Sequence, residues 1–278
     1  MNVAKTVAVC ARPSYIDFTK IDEMKTCDVG WTKKSRPFKQ GSTAFIYQGC
    51  CGKVCKYVVK VLNDTNVDVQ KEIHLQQQVA SFGIALPVIE AFRCEDDEKS
   101  YIIMPSINMN LVDFCLKLNS YREYVDVIPL IKGCIAQASN LLTTLHANGM
   151  VHGDSHLENF MFDPAKNYDV VLDWCRGDFV FNSKFSHSDA DDSFVLFTVL
   201  EGVLQLNPLP FISQGCAATV KELSRTQERM NKWLGLDTLK LIDFGLTEKI
   251  GTSTRTPKDD LDQLVDDASE QPWGRYVV

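Results

Sequence analysis

The chain has 278 residues, with 29 Lys and Arg against 36 Asp and Glu, a formal net charge of −7. Its 45% hydrophobic and 23% charged residues are typical of a soluble globular protein, which excludes a disordered chain, a collagen-like fibre and a low-complexity polymer. The acidic balance gives no general basis for direct nucleic-acid binding. No run reaches the roughly 18 apolar residues that a membrane span needs, so no membrane association is expected.

The first part of the chain is typical of a β-rich lobe. The patterns predict strands at residues 44–47, 57–62 and 101–104, a turn from Gly49 to Gly52, and a helix at 69–82 that ends at Gly83. The strand segments are rich in the β-branched and aromatic residues that suit a pleated surface, and Pro105 stops the last of them.

Beyond residue 107 the pattern becomes helical. Residues 128–148 place apolar side chains every three to four positions, as in Ile131, Cys134 and Ala138, and Gly149 ends this helix. Further helices are predicted at 189–206 and 219–233. The fold class is therefore α+β, with a small β-rich N-terminal lobe and a larger, mainly helical C-terminal lobe.

Ten cysteines are spread from Cys10 to Cys216, and three of them cluster at Cys50, Cys51 and Cys55. The cluster has no second Cys pair or nearby His pair to complete a zinc site, which favours core or hairpin thiols. The first residues contain no apolar segment long enough for a signal peptide, so we expect reduced thiols and a cytoplasmic location.

The strongest chemical signal lies directly after the long helix, in Val151–Phe162, which reads VHGDSHLENFMF. Asp154 and Asn159 are five residues apart, the spacing at which a carboxylate can orient a hydroxyl nucleophile while an amide turns back to hold a metal. This string resembles the HxDxxxxN catalytic loop of the protein-kinase-like superfamily, in the HGDxHxxN form of atypical kinases of large DNA viruses and aminoglycoside kinases. The resemblance implies a bilobal fold that binds ATP between its lobes, with Asp154 as the base and Asn159 as a metal ligand.

A second segment, LKLIDFGLT at residues 239–247, resembles the strand and DFG of the same superfamily, which makes Asp243 a ligand of Mg²⁺, with Mn²⁺ as the alternative ion. In the small lobe, Lys60 is similar to the strand lysine that contacts the phosphates. Glu72, 12 residues later in the predicted helix, is its expected ion-pair partner. His156 stands where the family places a catalytic-loop lysine.

The ATP site is expected to include a phosphate loop and a hinge, both implied by the resemblance. The loop covers Gly41, Ser42, Thr43, Ala44 and Phe45, of which only Gly41 and Phe45 match the family's glycine-rich pattern. Met104 takes the gatekeeper position, and Ser106 and Ile107 form the hinge beside adenine after Pro105, which has no N–H to offer.

The position of the metal-binding aspartate has two interpretations. Asp243 follows Asn159 by 84 residues, whereas family members place it about a dozen residues later. Asp173, in DVVLDW, follows Asn159 by 14 residues and resembles the corresponding residue of small-molecule kinases. The segment around Asp243 matches the family over a longer string, which favours Asp243 and an insertion at about 168–237, with Asp173 as the alternative.

The resemblance implies an N-terminal extension at 1–37, a kinase N-lobe at 38–107 and a C-lobe at 108–278. It implies an ATP-dependent phosphotransferase, with a Ser or Thr hydroxyl of a protein substrate as acceptor and, for a viral protein, the host cytoplasm as location. Two alternatives stay open: a small-molecule kinase of the aminoglycoside or choline type, and a pseudokinase that acts as a binding module. Residues 258–264 weakly resemble the helix whose aspartate anchors the catalytic loop in related kinases.

Overall fold

The computed structural model describes residues 24–25, 31–33, 36–37, 39–40, 44–62, 69–94, 98–181, 192–252 and 254–277. Two compact units emerge from the contacts within the chain. The first comprises residues up to 107 together with Ile242–Thr247, and the second comprises Asn108–Leu241 and Glu248–Val278. The DFG segment, which the sequence analysis assigned to the C-terminal lobe, is therefore grouped with the first unit.

The first unit is built on one β-sheet and a single long helix within its described residues. Its elements are β1 (Met24–Lys25), β2 (Trp31–Lys33), β3 (Lys39–Gln40), β4 (Ala44–Cys51), β5 (Val54–Leu62), α1 (Val69–Ser81), β6 (Glu90–Cys94) and β7 (Ser100–Pro105). The strand order is β1-β6-β7-β5-β4-β2, with β3 also paired to β4. The long strand β5 lies between β4 and β7 and is antiparallel to both.

Alternation along the strands gives this sheet two apolar faces. One face packs Leu62 and Ile102 against Ile73 of helix α1. The other face packs Val59, Val61 and Phe92 together. Because the central strand has a neighbour on both sides and apolar contacts on both faces, the side chains that it carries are held in fixed positions.

A disulfide joins Cys50 to Cys55 across the β4–β5 hairpin, where the two Cα atoms are 4.0 Å apart. The hairpin position agrees with the sequence, but the expected free thiols at these two positions are wrong. Pairing of the strands brings the two side chains together across the turn, and separation along the chain alone does not reveal this. Cys51 and Cys94 are also disulfide-bonded, whereas Cys115, Cys134, Cys175 and Cys216 are free.

The second unit is mainly helical. Its elements are β8 (Met109–Asn110), α2 (Leu111–Asn119), α3 (Ile128–Ala147), β9 (Met150–Val151), β10 (Phe160–Phe162), α4 (Val170–Arg176), α5 (Asp192–Leu204), α6 (Leu209–Ile212), α7 (Cys216–Leu223), α8 (Gln227–Leu234), β11 (Lys240–Leu241), β12 (Glu248–Lys249) and α9 (Pro257–Glu270). Helix α3 packs against α2, α8 and α9. The loop between β9 and β10 carries the HGDSHLEN string, and β10 pairs with β8 and β11.

The α+β class is confirmed, with a β-rich first unit and a larger, mainly helical second unit. One helix prediction is wrong, because residues 219–233 are not continuous but belong to two helices, α7 and α8. The break occurs where Thr226 accepts a hydrogen bond from the backbone N–H of Arg229 at 3.2 Å and so caps the second helix. None of the helices in the described ranges is both long and apolar enough to cross a membrane.

Candidate active site

Lys60 is the centre of an ion network in the first unit. It lies in the middle of β5, opposite Ile46 of β4 and Ile102 of β7. Its Nζ lies 2.5 Å from Oε1 of Glu72, which projects from the first turn of α1, and both side chains are buried. The Lys60–Glu72 ion pair expected from the sequence is therefore present.

Asp243 completes this network. Its Oδ1 lies 3.1 Å from Nζ of Lys60, and 51% of its side chain remains exposed. The backbone at Asp243 has a φ of +65°, in the left-handed region that non-glycine residues rarely adopt. Such positions persist where the surroundings hold them and cluster at functional sites. The network thus consists of one ammonium group between a buried carboxylate and a solvent-accessible one.

The electrostatics of the network favour the charged lysine. Burial of Lys60 disfavours its charge, but the carboxylates of Glu72 and Asp243 raise the pKa of Lys60 above its ordinary value. Lys60 therefore stays cationic throughout the physiological range and can contact an anionic ligand.

The other residues expected around ATP are distributed unevenly. By strand register and alternation, Ala44 and Met104 share the sheet face of Lys60, whereas Phe45, opposite Val61, lies on the other face. Gly41, Ser42 and Thr43 lie outside the described residues. After β7, the backbone N–H of Ser106 donates to the carbonyl of Lys56 at 2.9 Å, and Ile107 follows it at the end of the first unit's main segment.

Asp154 and Asn159 meet in the second unit, in the loop between β9 and β10. Nδ2 of Asn159 donates to the backbone carbonyl of Asp154 at 2.8 Å and to its Oδ2 at 3.0 Å. The loop turns back through a 3₁₀ turn at Leu157–Asn159, which brings the amide to the carboxylate. Asn159 is buried, whereas the Asp154 side chain is 34% exposed. This arrangement orients the carboxylate while leaving part of it accessible.

Helix α9 holds this loop by side-chain acceptors on one of its faces. Asp260 accepts from the backbone N–H groups of His152 at 2.7 Å and Gly153 at 2.9 Å. Further along the same helix, Gln263 Oε1 accepts from the N–H of Ser155 at 2.8 Å, and Asp267 Oδ2 accepts from the N–H of Leu157 at 2.6 Å. The positions 260, 263 and 267 recur every three to four residues and so share one helix face.

Asp260 is the buried member of this set. Nε2 of His146 also lies 2.8 Å from its Oδ2. Burial by itself raises the pKa of Asp260, but the hydrogen bonds from His146 and from the N–H groups of His152 and Gly153 lower it below its ordinary value. The carboxylate is therefore ionised at neutral pH and bonds the loop with charge-assisted hydrogen bonds.

Asp173, the alternative metal ligand, lies in the second unit on helix α4 rather than at the end of a strand. Its Oδ1 accepts from the hydroxyl of Tyr121 at 2.8 Å and from Nη2 of Arg176 at 3.1 Å. Burial and the hydrogen bond to Asp173 raise the pKa of Tyr121 above its ordinary value. The carboxylate of Asp173 is thus already bonded to a phenol and a guanidinium.

His156 follows Asp154 in the loop, and its side chain is 51% exposed. Its Nε2 lies 2.9 Å from Nε2 of Gln263 and 3.5 Å from Oδ1 of Asp154, and its Nδ1 lies 3.8 Å from Asp267. The sequence analysis did not single out Gln263, Asp267 or Ser155. The available signal was the polar spacing at 260, 263 and 267 in an otherwise acidic helix.

No family model matches the chain, and no curated protein sequence matches it. Among solved structures, the chain is similar to the crystal structure of the BubR1 kinase domain, with a TM-score of 0.43 and 16% sequence identity over 79% of this chain. The match covers 48% of the BubR1 kinase chain, so this chain spans about half the length of that structure. The similarity concerns the fold, which agrees with the kinase-like α+β architecture expected from the sequence.

Proposed function

We propose that this chain is an ATP-dependent phosphotransferase that passes the γ-phosphoryl group to a hydroxyl, with a serine or threonine of a protein as the acceptor. The observation that carries the proposal is the network in which buried Lys60 bridges the buried carboxylate of Glu72 and the half-exposed carboxylate of Asp243. A buried lysine that stays charged is suited to hold a phosphate, because the phosphate replaces part of the hydration that burial removed.

The residues present fit a hard divalent cation. Mg²⁺ and Mn²⁺ prefer oxygen ligands, and Asp243 supplies an accessible carboxylate. Asn159 directs its Nδ2 to Asp154, so its carbonyl Oδ1 is the atom left for a metal. When bound, the cation would neutralise the charge that develops on the phosphate oxygens.

Asp154 is assigned as the base. In the proposed reaction the acceptor oxygen forms a bond to the γ-phosphorus, the bond from that phosphorus to the β-phosphate oxygen breaks, and Asp154 takes the hydroxyl proton. The hydrogen bond from Asn159 fixes the orientation of the carboxylate, and its exposed part leaves room for a substrate hydroxyl.

Asp243 is favoured over Asp173 as the metal ligand in this proposal. A cation at Asp173 would have to compete with the hydrogen bond from Tyr121 and the ion pair with Arg176. This weakens the small-molecule-kinase interpretation, which depended on Asp173. The pseudokinase interpretation is disfavoured because Lys60, Glu72 and Asp243 form a connected ion network of the kind that phosphoryl transfer uses.

The test uses the full chain with γ-labelled ATP and Mg²⁺, a generic protein acceptor and a panel of small hydroxylated acceptors. Asp154→Ala, Asp243→Ala and Asp173→Ala are compared, with nucleotide binding measured separately by calorimetry. We expect labelled protein with the wild type, about 10²-fold or greater loss of label in Asp154→Ala and Asp243→Ala, and activity near wild type in Asp173→Ala.

Three results would contradict the proposal in different ways. Full activity in Asp154→Ala would remove the assigned base. Loss of activity in Asp173→Ala but not in Asp243→Ala, with label only on small acceptors, would support the small-molecule interpretation. Nucleotide binding without any transfer would support the binding module.

A further inference from the structure

The orientation of the Gln263 side-chain amide is determined by its neighbours. The backbone N–H of Ser155 can only donate, and it lies 2.8 Å from one end of the Gln263 amide. That end must therefore be the carbonyl oxygen, because two donors would otherwise face each other. The other end of the amide, the NH₂ group, lies 2.9 Å from Nε2 of His156.

This orientation determines which nitrogen of neutral His156 carries the proton. The Gln263 NH₂ group is a donor, so the facing Nε2 of His156 must accept with its lone pair. The proton of the neutral imidazole is then on Nδ1, on the side of Asp267, whose Oδ2 lies 3.8 Å away. The same Nε2 lies 3.5 Å from Oδ1 of Asp154.

We propose that Gln263 is a positioning residue that keeps neutral His156 in the Nδ1–H tautomer and so keeps its imidazole from hydrogen-bonding to the carboxylate of Asp154. With a lone pair on Nε2, His156 has no proton to donate toward Asp154, which leaves that carboxylate available as the base. The importance of Asp154 rests on the proposed function, whereas the tautomer does not.

Protonation of His156 reverses this arrangement. The new Nε2–H can no longer face the NH₂ group of Gln263, and the carboxylate nearest to it is that of Asp154. Two carboxylates face the ring, Asp154 from its own loop and Asp267 from α9. The imidazolium therefore pairs with Asp154 on one side and with Asp267 on the other, and Asp154 loses its availability as a base.

Gln263→Glu tests the assignment with little change in shape. One carboxylate oxygen of the variant still accepts from the N–H of Ser155, but the other now accepts where Gln263 donated. Nitrogen NMR of the full chain labelled with ¹⁵N-histidine reports the tautomer directly, and His156→Asn identifies the signals. Val265→Glu is the matched control, because it adds the same charge to the same helix at a side chain that is 40% exposed.

We expect the wild type to show neutral His156 protonated on Nδ1, and Gln263→Glu to shift the proton to Nε2 and raise the titration midpoint of the ring by about half a pH unit. The Asp154 carboxyl ¹³C signal should respond at the same midpoint in the wild type and less in Gln263→Glu. Val265→Glu should behave as the wild type.

Protonation on Nε2 in the wild type would overturn the proposal, as would the same tautomer in the wild type and Gln263→Glu. An Asp154 signal that ignores the His156 titration would overturn the link to the base. None of these readouts depends on turnover. A failure of the phosphotransfer assay would leave the tautomer result standing, and the reverse also holds.

Discussion

Removal of the Asp260 carboxylate should cost more stability than any other single change in helix α9. Only 1% of this residue is exposed, and it accepts from the N–H groups of His152 and Gly153 and contacts His146. Asp260→Ala leaves two buried backbone donors without a partner, at about 1–3 kcal/mol each, and also removes the contact with His146. With partial relaxation we expect a loss of about 4 kcal/mol, a large share of the 5–15 kcal/mol typical of a folded domain.

The matched control is Asp262→Ala, two residues further along the same helix. The Asp262 side chain is 52% exposed and pairs only with Lys258 one turn before it. An exposed pair of this kind contributes below about 0.5 kcal/mol. Both variants lose one carboxylate from the same helix, so the difference between them isolates the contribution of burial and of the loop contacts.

The assay is urea unfolding of the full chain, followed by tryptophan fluorescence and circular dichroism. The pKa of Asp260 is lowered on folding, so its contribution is present above the unfolded value of about 3.9 and is lost as pH falls through the folded value. The gap between the wild type and Asp260→Ala should therefore narrow below about pH 4. Hydrogen exchange should show lost protection at Gly153.

An Asp260→Ala variant within about 1 kcal/mol of Asp262→Ala would refute the anchoring role, since two orphaned donors alone exceed that figure. A gap that stays constant into acid would refute the assignment of the ionised carboxylate as its source.

Two further changes test other parts of the structure. Lys60→Met leaves Glu72 buried without its partner and should destabilise by about 3–5 kcal/mol in denaturant titration; because folding raises the pKa of Lys60, the ion pair's contribution is present below the unfolded value of about 10.4 and should be lost as pH rises through the folded value. Gly235→Ala places a Cβ 2.4 Å from the backbone nitrogen of Ala165 at a φ of +84° and should cost well over 2 kcal/mol, whereas Gly177→Ala, at a φ of +88° in open space, should cost only about 1–2 kcal/mol in thermal unfolding. Equal costs for the two glycine variants would show that the close backbone contact is not decisive.

Several features of the fold could be predicted from the sequence because they depend on neighbours along the chain. The helix at Ile128–Ala147 follows from an apolar repeat and a glycine stop, and the strand at Val54–Leu62 from β-branched and aromatic residues. The five-residue spacing of Asp154 and Asn159 likewise indicated one short loop, since a turn of that length brings both side chains together.

Other features were decided by the tertiary structure, because they join residues that the sequence separates. Lys60 contacts Asp243 across 183 positions, and Asp260 reaches His152 across 108. Asp173 lies in a helix where a strand was the alternative, because a short apolar run has no period long enough to distinguish the two.

The disulfide between Cys50 and Cys55 and the break between α7 and α8 have the same kind of cause. Strand pairing closes the first, and the Thr226 cap competes with helix continuation in the second. The sequence by itself thus determined the elements and the short motifs, whose energies are local. The partners of each charged side chain were decided only in the folded chain, because burial sets the cost of leaving a charge unpaired.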